Sequence, residues 1–203
     1  MPTRHAAAGN LFRFSLDYFK IFNLSSPRLT LDPEFLKKTY YELSRKFHPD
    51  FFQHASSKER QEATEKSSLL NKAYDTLRDP FRRAEYALEL EGMDVKKDLG
   101  PVATDLLAEV FEIQENLSTY LEGQKEKGAE SGLKEVLNHE QNSLRERLKR
   151  LTGNLEKLFL EWDRLEAGSQ EKKTLAEKIL HLLHEKKYID SILKNIETGL
   201  KKK

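Results

Sequence analysis

The sequence has no cysteine, which removes disulfides, thiolate metal sites and thiol nucleophiles from consideration and leaves the redox compartment unmarked. Glycine (9) and proline (6) are sparse in a chain of 203 residues. Beside 34% charged and 37% hydrophobic residues, that sparseness favours a soluble, helix-rich protein with modest cores and long solvated faces. No apolar run approaches the roughly 18 residues a membrane span needs, so no membrane role is expected. The formal net charge is only +1, and no global field argues for nucleic acid. Glycine-rich phosphate loops, nucleophile elbows and carboxylate pairs in apolar surroundings are all missing, so neither an enzyme nor a cofactor is expected.

The length suits one large domain or two small ones. Residues 1–15 contain Arg4, His5 and Arg13 without a continuous apolar core. They read as a disordered leader rather than a secretory signal, although a mitochondrial targeting segment would share the composition. Structure is expected from Leu16 through the aromatic run Tyr18-Phe19-Lys20-Ile21-Phe22 to Leu24, with Ser25-Ser26-Pro27 as a break. Asp32-Pro33 is an N-cap followed by proline in the first turn, a strong helix start. Leu36, Tyr40, Leu43 and Phe47 then form one buried helical stripe. That helix has to stop at His48, because Pro49 disfavours helical geometry in the residue before it. A polar loop leads to a third helix bearing Leu70, Ala73, Tyr74 and Leu77. Asp79-Pro80 then opens a short fourth helix, and Gly92 is its natural C-terminal stop.

Residues 94–104, with Gly100-Pro101 inside them, read as a linker between a domain at 16–93 and a second at 105–203. In the second, Leu144, Leu148, Leu151, Leu155, Leu158, Trp162 and Leu165 alternate spacings of four and three, as in a coiled-coil seam. Leu175, Ile179, Leu182, Ile189, Leu193, Ile196 and Leu200 continue the rhythm, with Lys186 as a polar intruder. A helix from Asp105 to about Leu121 supplies the third member, and Gly123 to Gly132 and Gly168-Ser169 are the expected turns. Short connections imply antiparallel neighbours, hence a three-helix bundle. The fold class is therefore all-α: a four-helix domain around an antiparallel hairpin, then the bundle.

His48-Pro49-Asp50 carries the chemistry. The proline ends a helix, so an imidazole and a carboxylate are presented at a hairpin tip. A carboxylate there can accept charge-assisted hydrogen bonds from a partner's arginine. The flanking pattern, a lysine-containing helix ending in Phe47 before the motif and Asn71-Lys72-Ala73-Tyr74-Asp75-Thr76-Leu77 after it, resembles the J-domain family. Members of that family stimulate the ATPase of DnaK-type chaperones. Asp17-Tyr18-Phe19, Phe22, Leu24, the run Phe47 to Phe52, and Leu77-Arg78-Asp79-Pro80 with Arg83-Ala84-Glu85-Tyr86 are similar to the HscB type. HscB-type proteins pair a J-domain with a three-helix bundle that holds the iron–sulfur scaffold protein IscU. Over the bundle the resemblance is looser, resting on Leu106 to Leu117 and the Tyr188 region.

The resemblance implies a non-enzymatic co-chaperone that delivers IscU to a DnaK/HscA-type ATPase for iron–sulfur cluster transfer. It implies that His48, Pro49 and Asp50 engage the ATPase and that Lys37, Lys38, Arg45 and Lys46 steer the approach, diluted by Glu42. Phe51 departs from the family pattern, which has a basic residue directly after the aspartate. Along the first bundle helix, Leu107 and Phe111 sit roughly 100 to 140° from the core stripe of Leu106, Val110, Ile113, Leu117 and Leu121. So wide a band is wedged between both bundle partners, packed on the first domain, or exposed for a partner. By resemblance Leu107, Ala108, Phe111 and Tyr188 are scaffold-binding positions, with Ala108 smaller than the methionine often found there. The alternative function is a J-domain adaptor whose coiled-coil arm serves an unrelated client. His181 and His184 lack the spacing of a zinc-protease helix and read as a bundle-surface pair, so no metal is expected. The expected location is cytoplasmic, with the mitochondrial matrix as the alternative.

Overall fold

The computed structural model describes residues 17–24, 27–95, 104–123 and 130–201. The expected leader and most of the expected linker lie outside these residues. The described residues form α1 (Tyr18–Ile21), α2 (Pro33–Phe47), a single 3-10 turn (Pro49–Phe52), α3 (Ser57–Arg78), α4 (Pro80–Leu90), α5 (Thr104–Gly123), α6 (Glu130–Trp162) and α7 (Gln170–Lys201). The chain divides into two compact units. The first ends at Ala87 and takes in Trp162–Arg164; the second comprises Leu88–Glu161 and the chain from Leu165 onward.

Local chemistry sets the helix ends of the first unit. Asp32 caps α2 by accepting the Glu34 N–H at 2.9 Å, with Pro33 at the first helical position. Asp79 does the same for α4, accepting from Phe81 and Arg82 at 2.9 and 3.0 Å. Ser56 and Glu59 cap α3 reciprocally, the Ser56 N–H donating to Glu59 Oε2 at 2.8 Å and the Glu59 N–H to Ser56 Oγ at 3.3 Å. The Ser56 hydroxyl, donating to Glu59 Oε2 at 2.7 Å, and after it the Ser56 N–H hold the Glu59 carboxyl below its ordinary range. The Ser56-x-x-Glu59 spacing was readable as a capping box, and it starts α3 earlier than the apolar positions alone indicate.

The core of this unit is aromatic at one end and aliphatic at the other. Phe19 of α1 and Phe22, its C-cap, are fully buried against Leu36 of α2 and Leu70, Ala73 and Leu77 of α3. Truncating either phenylalanine to alanine would cost about 3–5 kcal/mol, a large share of a small domain's stability. Tyr40 joins α2 to α3 twice, stacking on Tyr74 with centroids 4.2 Å apart and donating its hydroxyl to Asn71 Oδ1 at 2.9 Å. Tyr86 of α4 stacks on Tyr18 at 4.4 Å, and its hydroxyl accepts the Tyr18 N–H at 3.1 Å. Arg83 donates to the Leu77 carbonyl at 2.6 Å, satisfying an acceptor at the end of α3. The segment 83–86 therefore closes the unit from both sides. The Asp163 carboxylate, grouped with this unit, accepts the N–H groups of Leu29 and Thr30 at 2.7 and 2.9 Å.

In the second unit α5, α6 and α7 make the three-helix bundle. Leu106, Val110, Ile113 and Tyr120 of α5, Leu137, Leu144, Leu151, Leu155 and Phe159 of α6, and Leu175, Ile179, Ile189, Ile192 and Ile196 of α7 are buried. Arg147 of α6 reaches Glu109 of α5 at 2.8 Å and Glu185 of α7 at 2.6 Å, so one guanidinium ties all three helices. A Cβ on Gly199 would come within 2.5 Å of Leu117 Cδ1, so a side chain there would have to push the Leu117 tip aside. Helix α6 begins at Glu130, which places Gly132 in a helix rather than in the expected turn. It runs unbroken through Gly153, where a side chain would meet open space.

A second sequence expectation also fails in this unit. His181 is exposed, but His184 is buried, so the two are not a surface pair. Burial pushes the His184 imidazole below the ordinary histidine value of about 6.5, helped by His181 and Lys187 and opposed by a hydrogen bond with the Val95 backbone. The unfolded chain takes up this proton near pH 6.5, the folded bundle only at lower pH. Between those values the unfolded state binds more protons, so stability present at neutral pH is lost as pH falls below about 6.5. The melting temperature of His184→Gln should therefore depend less on pH between 5 and 8 than that of the wild type. Equal slopes for the two proteins would contradict this account of His184.

Candidate functional site

The tip between α2 and α3 is built by proline. His48 leaves the helical region at φ −63° and ψ 127°, as a residue preceding proline should, and becomes the C-cap of α2. The chain does not then enter a loose loop, as the polar run had suggested. Pro49–Phe52 makes one 3-10 turn closed by the Phe51 N–H donating to the His48 carbonyl at 3.0 Å. That turn packs on α3. Its tight geometry alternates the two phenylalanines, leaving Phe52 half-buried and Phe51 74% exposed.

Within the tip the Asp50 N–H donates to His48 Nδ1 at 3.3 Å, and Asp50 Oδ2 lies 3.5 Å from the same nitrogen. With Nδ1 accepting, the neutral ring carries its proton on Nε2. Both side chains are at least half exposed, at 50% and 71%. The carboxylate is thus solvent-facing, held by a short rigid turn, and open to a cationic donor. The arrangement suits binding. Among the described residues no cluster of three or more histidine and acidic side chains is placed to hold a metal.

Lys37, Lys38, Arg45 and Lys46 all lie exposed on α2, and none forms an ion pair within 4 Å among the described residues. Lys46 is the least free of the four, sitting 5.7 Å above the Phe47 ring. Glu34, Lys37, Lys38, Tyr41, Glu42 and Arg45 line a single open cleft along the helix. Tyr41, 56% exposed, was not singled out from the sequence. The tandem Tyr40-Tyr41 contained the signal, because adjacent helical residues point about 100° apart and only one can pack on Tyr74.

On the bundle, Leu106 faces the core while Leu107 is half-buried, Ala108 exposed and Phe111 69% exposed. Residues 107, 108 and 111 share one face of α5 by their three- and four-residue spacing. Phe111 is therefore not wedged between bundle partners. Tyr188, 40% exposed, lies on α7, the helix against which α5 packs.

A solvent-facing His-Pro-Asp turn between a basic-faced helix and a longer capped helix defines a J-domain, and the DnaJ domain model matches residues 17–87. Over most of its length the chain is also similar to two solved structures. One is the chaperone HscB from Vibrio cholerae, at 25% identity and a TM-score of 0.59, covering 90% of this chain and 96% of that one. The other is the human co-chaperone protein HscB, at 24% identity and a TM-score of 0.68, covering 93% and 84% respectively. Residues 17–87 are thus a J-domain, which implies a partner of the DnaK (Hsp70) class, and over most of its length the chain has the fold of the HscB-type co-chaperones. No helix among the described residues is long and apolar enough to cross a membrane.

Exposed charges act at a distance that salt shortens to about 8 Å at physiological ionic strength. Association with a DnaK-type chaperone should therefore weaken as salt rises. Arg45→Glu combined with Lys46→Glu should slow association more than it speeds dissociation. Stopped-flow binding measures both rates, and an unchanged on-rate would reduce this face to simple solvation.

Proposed function

We propose that this co-chaperone stimulates the ATPase of a DnaK/HscA-type chaperone through His48-Pro49-Asp50 and delivers to it the iron–sulfur scaffold protein IscU, held on the bundle. The observation that carries the reading is the exposure of two separate surfaces on one chain. Asp50 stands out at the tip of the first unit, and Phe111 stands out from α5 of the second. Asp50 accepts an arginine of the ATPase, with Lys37, Lys38, Arg45 and Lys46 guiding the encounter. Leu107, Ala108, Phe111 and Tyr188 present apolar surface to the scaffold, where large aromatic and aliphatic side chains make effective anchors. The protein performs no reaction of its own; cluster transfer follows from bringing cargo and ATPase together, in the cytoplasm or the mitochondrial matrix.

Two variants test the two halves. Asp50→Asn should abolish ATPase stimulation while changing stability by no more than about 0.5 kcal/mol, since the side chain is exposed. Full stimulation by this variant would remove the chaperone half of the reading. Changing Leu107, Phe111 and Tyr188 together to alanine removes anchors that typically contribute about 1–3 kcal/mol each, without simple additivity. IscU affinity should fall about tenfold or more, measured by calorimetry, while stimulation by the co-chaperone alone persists. A folded triple variant with full IscU affinity would favour the adaptor for an unrelated client.

A further inference from the structure

We infer that Phe51 is an apolar anchor for the same DnaK-type partner, which must present a hydrophobic pocket directly beside the group that takes Asp50. The inference rests on the reading that His48-Pro49-Asp50 engages that partner. An isolated exposed hydrophobic residue is ordinary and by itself means little. Three features set Phe51 apart.

First, it is the most exposed large hydrophobic side chain among the described residues, at 74%, in a turn whose other phenylalanine is tucked inward. Second, its position is fixed. The 3-10 turn, closed by the Phe51 N–H and packed on α3, sets the backbone. Residues three apart eclipse in that geometry, so Phe51 falls over His48, with ring centroids 6.2 Å apart at 75°. An aromatic side chain with two rotatable bonds on a fixed backbone loses little entropy when a partner covers it. Third, the exposure is local. The first unit's exposed large apolar side chains among the described residues are Phe35, Tyr41 and Phe51, and each lies on α2 or on the tip. Among the described residues of the unit, large apolar side chains are thus exposed only on the basic helix and on the tip it leads into.

The combination has a chemical meaning. Phe51 follows Asp50 directly in the turn, so a partner that covers its ring also excludes water next to any salt bridge Asp50 makes, strengthening it relative to an open surface pair. The partner surface complementary to this tip is an arginine next to an apolar depression, not an acidic patch. A second copy of this chain is the competing occupant.

The test compares Phe51→Leu, Phe51→Ala and Phe51→Lys with wild type and Asp50→Asn in steady-state ATPase assays of a DnaK-type chaperone. Melting curves confirm that each variant is folded. Phe51→Ala should raise the half-maximal concentration about tenfold or more, with the plateau of stimulation kept. Phe51→Leu should stay near wild type, and Phe51→Lys should not rescue. Wild-type behaviour of Phe51→Ala overturns the inference, as does Phe51→Lys matching wild type, which would make the position electrostatic. Sedimentation showing self-association that Phe51→Ala abolishes, with ATPase stimulation unaltered, overturns it in favour of a second copy. Full stimulation by Asp50→Asn is a different failure, because it removes the underlying reading whatever Phe51 does.

Discussion

The first unit depends on one backbone constraint, the exclusion of His48 from the helical region by Pro49. Without it α2 would run on and carry its last side chains around the helix at 100° a step. With it, the chain leaves α2 at a defined residue and turns once in a 3-10 loop packed on α3. A single dihedral restriction thereby sets which side chains face the solvent and which face α3. His48, Asp50 and Phe51 are exposed and Phe52 is half-buried in the turn that packs on α3. The hairpin supplies only a rigid base, through Tyr40 on Tyr74 and Asn71 and through the buried Phe19 and Phe22.

The bundle obeys a different limit. Two neighbours can cover only part of a helix's circumference, and α5 carries apolar residues over more of it than α6 and α7 bury. Leu106, Val110, Ile113 and Tyr120 occupy the covered part. Phe111 is what remains, and burying it fully would be worth about 1.5–3 kcal/mol that the isolated chain does not collect. Gly199 sits where any side chain would strike Leu117, and Arg147 satisfies carboxylates on both neighbouring helices.

Much of this was legible because the signals were local. Asp32-Pro33, Asp79-Pro80, His48-Pro49 and Gly92 each act within a turn or two, and the helices begin and end beside them. The periodic leucines and isoleucines of α6 and α7 were legible for a related reason, since a seam repeats over many turns. What escaped was decided by contacts between segments distant in sequence. His184 looks like a surface residue until the Val95 segment lies against it. Tyr120 and Phe159 fall outside the regular leucine rhythm, yet they fill the bundle interior. The 3-10 turn escaped because polar residues after a proline fit a loop equally well, and only the packing of Phe52 separates the two. At the candidate site, the residues at the tip could be named from the sequence, but the outward aim of Phe51 could not.

Charge shows the same division between whole-chain and local reading. A net charge of +1 describes neither working surface. Helix α2 turns Lys37, Lys38, Arg45 and Lys46 to the solvent against Glu34 and Glu42. Helix α5 carries Glu109, Glu112, Glu115 and Glu122, with no lysine, arginine or histidine between Thr104 and Gly123. The sum nearly cancels, but screening confines each field to about 8 Å at physiological ionic strength, so an approaching partner meets one helix and not the total. Near-neutrality of the chain therefore does not mean an uncharged surface. Charge of opposite sign is thus concentrated on α2 and on α5 while the molecule as a whole has little field to attract nucleic acid.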